Sequence, residues 1–261
     1  MSELLTDLTT GASGALVGAI LGLVGGGGSI LAVPLLVYAV GIASPHAAIG
    51  TSAIAVSISA LTNLVLHARA GHVKWPCAIA FSAAGIAGAL TGAHFAKLMD
   101  GKQLLFLFGL LMIGVGAAML RPRKDEGQAE VRLDRATAKT LLPFILGTGF
   151  AVGLMSGFFG IGGGFLIVPG LMFATGMPLV YAIGTSLVSV AAFGASTAAS
   201  YAWSGLIDWR IAGIFIAGGA IGGVAGVALG KTLVDKKRAL GLVFAGIVIA
   251  AGLYVTIRGL M

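Results

Sequence analysis

Two glycine-rich segments interrupt apolar stretches of the chain and carry groups that could hold a small anion. The first contains Gly25, Gly26, Gly27, Gly28 and Ser29, and the second contains Gly160, Gly162, Gly163 and Gly164. Glycine lets a ligand approach the backbone closely. A helix that begins just after such a run points free N–H groups and its positive dipole end at the ligand. Both segments therefore predict an anion site, with helices starting near Ser29 and Phe165.

Hydroxyl and amide side chains form a second candidate group. The motif AIGTS occupies 48–52 and recurs at 182–186. On an α-helix, Ser59, Asn63 and His67 share the face of Ser52, while Thr197, Ser200 and Tyr201 extend that of Ser186. Such groups donate to an oxyanion without burying a charge, although hydroxyls also bond to their own helix or to a neighbour. The predicted substrate ligands are the eight glycines named above with Ser29, Thr51, Ser52, Thr185 and Ser186, while Asn63 and Thr197 line the path.

The composition places these residues in a membrane. Of 261 residues, 58% are hydrophobic and only 10% are charged, against about 25% charged residues in soluble domains. Apolar runs near the roughly 20 residues that span hydrocarbon predict an all-α polytopic membrane protein. Irregular backbone at that depth must be walled by protein or line a cavity. The glycine runs are therefore predicted to mark a cavity.

Charge and cysteine usage exclude several function classes. The net charge is +7, but the basic residues lie mainly between or at the ends of the apolar runs, where they set membrane topology, so no nucleic-acid partner is expected. The single cysteine, Cys77, and the lack of Cys/His pairs at ligand spacing predict no metal site. A P-loop is also missing. No cofactor is expected, and the expected partners are a small anion, membrane lipid and a coupling proton or ion.

An internal duplication organises the chain. A shift of 135 residues aligns Gly22–Pro34 with Gly157–Pro169, and after a one-residue slip GHVKW at 71–75 meets GLIDW at 205–209. The predicted divisions are a first transmembrane repeat at 1–120, a polar linker at 121–139 and a second repeat at 140–261.

The orientation of the two repeats depends on how the chain passes the glycine runs. If 11–41 and 146–176 are single broken spans, the repeats are parallel; if they are re-entrant helical hairpins, each repeat adds three long transmembrane helices and the repeats are inverted. The parallel arrangement places ten and six basic residues on the two faces, and the inverted one twelve and four. Because basic residues collect in the cytoplasm, the sequence favours inverted repeats in the inner membrane with the linker cytoplasmic.

Other glycines are predicted to serve helix packing. They recur at mostly four-residue spacing, which produces a smooth contact face between membrane helices. This group comprises Gly85, Gly88, Gly92, Gly222, Gly226 and Gly230.

Together these motifs resemble the TauE/SafE sulfite exporter family, also called the 4-toluene sulfonate uptake permease family. The resemblance rests on GLVGGGGSILAVP, AAIGTSAIAVSISALTN and GHVKW in the first repeat, and on GFFGIGGGFLIVP, YAIGTSLVSV and GLIDW in the second. It implies a secondary transporter of a sulfur-containing or organic oxyanion, of the sulfite, thiosulfate, sulfoacetate or sulfonate class.

Two other functions compete with this interpretation. A passive anion channel also lines its pore with hydroxyls and helix ends, whereas discontinuous helices in inverted repeats favour alternating access. An intramembrane hydrolase is suggested only by GASG at 11–14, with Ser13 as nucleophile and His67 or His94 as base. The chain is expected not to be an enzyme.

Overall fold

The computed structural model describes residues 3–24, 26–120, 137–160, 164–232 and 237–260. Within those ranges the secondary structure is helical, with no strand, which confirms the all-α prediction. Gly25, Gly162, Gly163 and linker residues 121–136 lie outside the described residues. The last two residues assigned to the linker, 138 and 139, belong to a helix.

The first half contains four long helices and one short segment of mixed helical geometry. The long helices are α1 (Glu3–Val24), α3 (Pro45–Arg69), α4 (Trp75–Leu98) and α5 (Gly101–Met119). The short segment, α2, consists of a 3-10 turn (Gly26–Leu31), one α turn (Ala32–Pro34) and a π-helical end (Leu35–Val40). The Ser44 side chain caps α3 by accepting from the Ala47 N–H, and Asp100 caps α5 in the same way.

The second half repeats this order. Its helices are α6 (Ala138–Phe159), α7 (Gly164–Thr175), α8 (Leu179–Trp203), α9 (Trp209–Thr232) and α10 (Lys237–Leu260). Gly71 and Gly205, which open GHVKW and GLIDW, adopt nearly the same left-handed backbone, with φ of 71° and 68°. Side chains other than glycine rarely adopt that conformation, so the duplicated loops keep one shape.

Eight helices of the described residues are long and apolar enough to cross a membrane, four in each half. The first arm of each predicted hairpin is among them, because α1 and α6 each have 22 residues and extend about 33 Å at 1.5 Å per residue. The sequence predicts that both arms of the first hairpin, 11–24 and 30–41, are too short for a full crossing. The structure shows that this holds only for the second arms, α2 and α7. Glu3 and Asp7 lie in the added turns of α1, which a hydrophobicity pattern does not reveal.

The chain nevertheless turns back at the first glycine run. A Cβ added to Gly28 would lie 2.6 Å from the Leu21 nitrogen, so α2 begins beside the end of α1. Val40 and Gly41, at the end of α2, line the same cavity as Thr6 near the start of α1. Thus α1 and α2 run antiparallel and their outer ends lie together.

Contacts between helix ends define two faces of the bundle. Arg210, at the start of α9, pairs with Asp7 of α1 at 2.9 Å, and His46, at the start of α3, contacts the Ala96 carbonyl at the end of α4. We call this the amino-terminal face. At the other end, the linker face, the Lys74 N–H before α4 donates to Thr185 near the start of α8. The helix that follows the linker, α6, runs parallel to α4, so it starts at the linker face.

Packing between the halves is exchanged, which means that the first helix of each half packs against a helix of the other half. Helix α1 packs against α9 and α6 packs against α4, while α3 meets α8 and α5 meets α10. A Cβ on Gly88 or Gly92 would overlap the backbone carbonyls of Phe150 or Leu154 in α6, and one on Gly222 or Gly226 would overlap those of α1. These contacts confirm the predicted packing role for five glycines, Gly85, Gly88, Gly92, Gly222 and Gly226; the side-chain environment of Gly230 lies outside the described residues.

Candidate functional site

Each Gly-Thr-Ser motif holds a loop of the opposite half. Thr51 accepts a hydrogen bond of 3.0 Å from the Asp208 N–H, and Thr185 accepts one of 3.0 Å from the Lys74 N–H. Both threonines are fully buried. Because Lys74 and Asp208 occupy the same position in GHVKW and GLIDW, the two contacts are copies of one arrangement.

The glycine of each motif permits this close approach. A Cβ on Gly50 would overlap the Leu206 carbonyl oxygen, and one on Gly184 would overlap that of His72. A side chain at Gly50 or Gly184 would push the loop out of hydrogen-bond distance of the threonine that follows the glycine. The duplicated motif therefore joins the two halves by hydrogen bonds, in addition to any contact with a substrate.

The serine that follows the threonine in each motif contacts backbone carbonyls. Ser52 Oγ is 2.9 Å from the Ile49 carbonyl of its own helix and 3.1 Å from the Gly160 carbonyl of the opposite half. Gly160 ends α6 with φ 66°, at the start of the second glycine run. Ser186 Oγ donates to Ile183 at 2.7 Å. The structure thus brings two predicted site residues, Ser52 and Gly160, into direct contact.

The helical elements that begin at the two glycine runs pack against each other. Helix α7, which begins at the buried Gly164, packs against the 3-10 turn that contains Gly26, Gly27 and Gly28. The first run therefore begins its helix earlier than the predicted start near Ser29. The Cβ side of Gly28 faces the backbone of α1, so this glycine allows close helix packing. Ser29 is fully buried.

Asn63 and Thr197, predicted to line the path, lie at equivalent positions of the two halves but differ in their contacts. Asn63 Nδ2 donates to the Ser59 carbonyl at 3.0 Å and lies 3.4 Å from where a Cβ on Gly223 would be placed, so it faces α9. Thr197 is fully buried, and its hydroxyl has no hydrogen-bond partner in the part of the chain that the structure describes. Asn63 is 3% exposed, so both side chains lie inside the bundle as the helical face predicts.

The buried polar groups at the contact of α3 with α8 and of α4 with α8 are neutral. Ser57 Oγ donates to the Ala191 carbonyl at 2.7 Å, and the hydroxyls of Ser82 and Ser189 are 2.8 Å apart. Among the described residues, no group of three His, Cys, Asp or Glu side chains could hold a metal ion. Hydroxyls and backbone groups are therefore the available ligands in this part of the bundle.

Two cavities lie away from the predicted ligands. One, of about 540 Å³, opens at the amino-terminal face beside Thr6, Gly41 and Asp208. The other, of about 310 Å³, lies between α1, α2 and α10 and is lined mainly by apolar side chains, with Tyr38 and Tyr254 at one end. Neither is lined by a residue predicted to bind the substrate.

Sequence reasoning missed the lysines that lie beside the duplicated helices. Lys97 Nζ contacts the Ser200 and Ser204 hydroxyls at 3.0 and 3.2 Å, and Lys74 Nζ lies 4.5 Å from the centre of the Tyr181 ring. The sequence predicts only a topology-setting role for Lys97, and for Lys74 an anchor at the membrane interface or a charge that gathers anions at an entrance. Their proximity to hydroxyl and aromatic groups on α8 was not visible from spacing, because each pair is about a hundred residues apart in the chain.

The sequence model of the family described as "Sulfite exporter TauE/SafE" matches residues 10–255. This chain belongs to the TauE/SafE family. The match covers both duplicated halves, including each glycine run and each Gly-Thr-Ser motif, so the predicted family is confirmed and the protein is a membrane transporter of that family.

Similar proteins carry a consistent name. A "Probable membrane transporter protein" of Xylella fastidiosa strain 9a5c is 51% identical over 96% of this chain and 95% of its own length, and one of strain Temecula1 is 49% identical with the same coverage. "Probable membrane transporter protein YunE" of Bacillus subtilis is 26% identical over 85% of this chain and 88% of its own. These names agree with the expectation that the TauE/SafE chain is not an enzyme. No solved structure matches it.

Proposed function

We propose that this TauE/SafE protein is a secondary transporter of a small sulfur-containing or organic oxyanion, of the sulfite, thiosulfate, sulfoacetate or sulfonate class, and that it works by alternating access. The observation that carries the proposal is the 3.1 Å contact between Ser52 and the Gly160 carbonyl. It joins the hydroxyl motif of one half to the glycine run of the other.

The chemistry of this region favours an anion. Ser52, Thr51, Thr185 and Ser186 are neutral and fully buried, and hydroxyls can donate to an oxyanion without a buried counter-charge. The first turns of α2 and α7 add backbone N–H groups and positive dipole ends at the glycine runs. Sulfur oxyanions present several acceptor oxygens to such donors.

The exchanged packing supports inverted repeats. Ser57 of α3 bonds to Ala191 of α8, and Gly109 of α5 packs against Thr256 of α10; in both contacts the chains run antiparallel. A repeat related to its copy by a twofold axis in the membrane plane would produce these antiparallel pairs. We propose that the protein lies in the inner membrane with its linker face cytoplasmic, because most basic residues belong to that face.

The function is tested by accumulation in proteoliposomes. We expect radiolabelled sulfite or thiosulfate to be concentrated above its electrochemical equilibrium when a proton or ion gradient is imposed. Uptake that stops at equilibrium would identify a passive channel. Absence of uptake for sulfite, thiosulfate, sulfoacetate and taurine by folded protein would contradict the proposal.

A matched pair of serines tests the site. Ser52 and Ser57 both donate to carbonyls of the opposite half and both are buried, but only Ser52 lies at a glycine run. Ser52→Ala is expected to lower oxyanion uptake at least tenfold, and Ser57→Ala is expected to lower Tm with uptake largely kept. Gly27→Val should abolish uptake in protein that still reaches the membrane. Equal uptake by all three variants and the wild type would remove the proposed site.

A further inference from the structure

Among the described residues of the second half, three hydroxyl groups are buried and have no hydrogen-bond partner. They belong to Ser156 of α6 and to Thr197 and Tyr201 of α8, and each residue is fully buried. Leaving a buried hydroxyl unpaired costs about 1–3 kcal/mol, and most buried polar atoms in proteins are paired. Three such groups in one region therefore point to a ligand that accepts hydrogen bonds.

The three residues lie in the part of α6 and α8 nearer the amino-terminal face. Thr197 and Tyr201 are four residues apart and share one face of α8. The Phe193 ring, one turn before Thr197, lies where a Cβ on Gly85 would be placed, which sets Thr197 near the level of Ala89. Gly157, next to Ser156, packs directly against the backbone of Ala89. The Tyr201 Cβ lies 2.9 Å from where a Cβ on Gly50 of α3 would be placed. These donors therefore lie where α8 passes α3, α4 and the end of α6, toward the amino-terminal face.

A lysine lies at the outer end of this junction. Lys97 Nζ is 5.7 Å from the centre of the Tyr201 ring, and it contacts the Ser200 carbonyl at 3.2 Å and the hydroxyls of Ser200 and Ser204. Lys97 is half-buried, and no carboxylate of the described residues lies within 4 Å of its ammonium group. Its positive charge is therefore held by neutral groups alone.

We propose that the Lys97 ammonium and the hydroxyls of Tyr201, Thr197 and Ser156 form the oxyanion's binding position on the amino-terminal side of the bundle. The proposal rests on the proposed anion transport and names the residues that admit the substrate from that face. The ammonium attracts the anion, and the unpaired hydroxyls donate to its oxygens as it leaves water.

The first repeat gives independent support. Asn63 and His67 occupy the positions equivalent to Thr197 and Tyr201, and His67 Nδ1 is likewise buried without a partner. Both repeats thus place a polar residue with an unpaired atom near the carboxyl end of the equivalent helix, which is α3 in the first repeat and α8 in the second. Because α3 and α8 run in opposite directions, these positions lie at opposite ends of the bundle.

Removing the unpaired hydroxyls provides a test that separates binding from folding. Tyr201→Phe and Thr197→Val delete groups without protein partners, so Tm is expected to stay the same or rise. The KM for thiosulfate uptake into proteoliposomes from the amino-terminal side is expected to rise about tenfold or more, which corresponds to the loss of one hydrogen bond to a charged group. Lys97→Met should raise KM similarly, with a smaller effect at high salt because the attraction is then screened in the wild type as well.

Arg210→Met is the matched control. Arg210 lies on the same face, but it is already paired with Asp7 and Glu3, so its removal should leave KM unchanged. The measurements are made in vesicles of phosphatidylcholine alone and in vesicles that contain an anionic lipid. If the effect of Lys97→Met disappears in phosphatidylcholine alone, Lys97 binds a lipid headgroup and the proposal is overturned.

The remaining outcomes distinguish this inference from the proposed function. If the wild type transports thiosulfate but Tyr201→Phe and Thr197→Val keep its KM, the position is wrong while the transport function stands. If the wild type transports no oxyanion, the proposed function itself fails. Equal KM changes for Lys97→Met and Arg210→Met would indicate a general surface-charge effect and would also overturn the inference.

Discussion

Thr51 of the first half accepts a hydrogen bond from the backbone N–H of Asp208, 157 positions later in the chain, at 3.0 Å. Thr185 forms the equivalent bond with Lys74 at the opposite face. The two bonds join α3 to the loop before α9 and α8 to the loop before α4. The duplicated motif thus acts at the interface between the halves, whichever substrate the transporter carries.

Loss of either threonine hydroxyl should destabilise the protein. Thr51→Val keeps the side-chain shape but leaves the partly buried Asp208 N–H unpaired, so we expect a loss of about 1–3 kcal/mol and a lower Tm. Thr185→Val should behave alike because its contact is equivalent. The control is Thr91→Val, since the Thr91 hydroxyl makes a solvent-exposed hydrogen bond to the Ala87 carbonyl of its own helix. A Tm for Thr51→Val equal to that of Thr91→Val would contradict the role of Thr51 in joining the two halves.

Substitution of a glycine in the α4–α6 contact should separate the two helices. In Gly92→Ala the new methyl group would overlap the Leu154 backbone carbonyl, which cannot move without displacing α6, so Tm is expected to drop by several degrees. Gly114→Ala is the matched change, because Gly114 is helical, exposed and has open space where its Cβ would lie. It should leave Tm unchanged or raise it, because alanine is the better helix former. Similar Tm values for both variants would refute the packing role of Gly92.

The orientation of the repeats can be read from two cysteine variants. Ala70 and Ser204 occupy equivalent positions of the repeats and both are exposed, while the native Cys77 is buried. In a Cys77→Ala background, Ala70→Cys and Ser204→Cys are expected to react with a membrane-impermeant maleimide from opposite sides. Ala70→Cys should label from the cytoplasmic side, because it belongs to the linker face. Labelling of both from one side would establish parallel repeats.

Much of this architecture is encoded in local sequence signals. Ser44 and Pro45 mark the start of α3, and Gly71 and Gly205 mark duplicated loops. The three- and four-residue spacing of the glycines in α4 predicts a close helix contact. These features depend on backbone conformation within a few residues. The full length of α1 was missed, because Glu3 and Asp7 break the apolar pattern although they belong to the helix.

The contacts of the candidate site needed three-dimensional information. Sequence identified Thr51, Ser52 and Gly160 by residue type and repetition, but it could not indicate that Thr51 accepts from a backbone N–H or that Ser52 meets Gly160. Lys97 was assigned to topology alone, because its relation to Tyr201 and Ser200 arises from the packing of α4 on α8. The partner of a polar group depends on distant segments, whereas its burial follows from helix periodicity.

The exchanged pairing of α1 with α9 has a consequence for synthesis. The glycine face of α1, at Gly14, Gly18 and Gly22, packs on a helix that begins at Trp209, so the ribosome completes its partner only after most of the chain has entered the bilayer. Until then lipid must cover a surface shaped for another helix. Neither half can finish its own packing, and a chain cut at the linker would regain its fold only when both pieces are made in the same membrane.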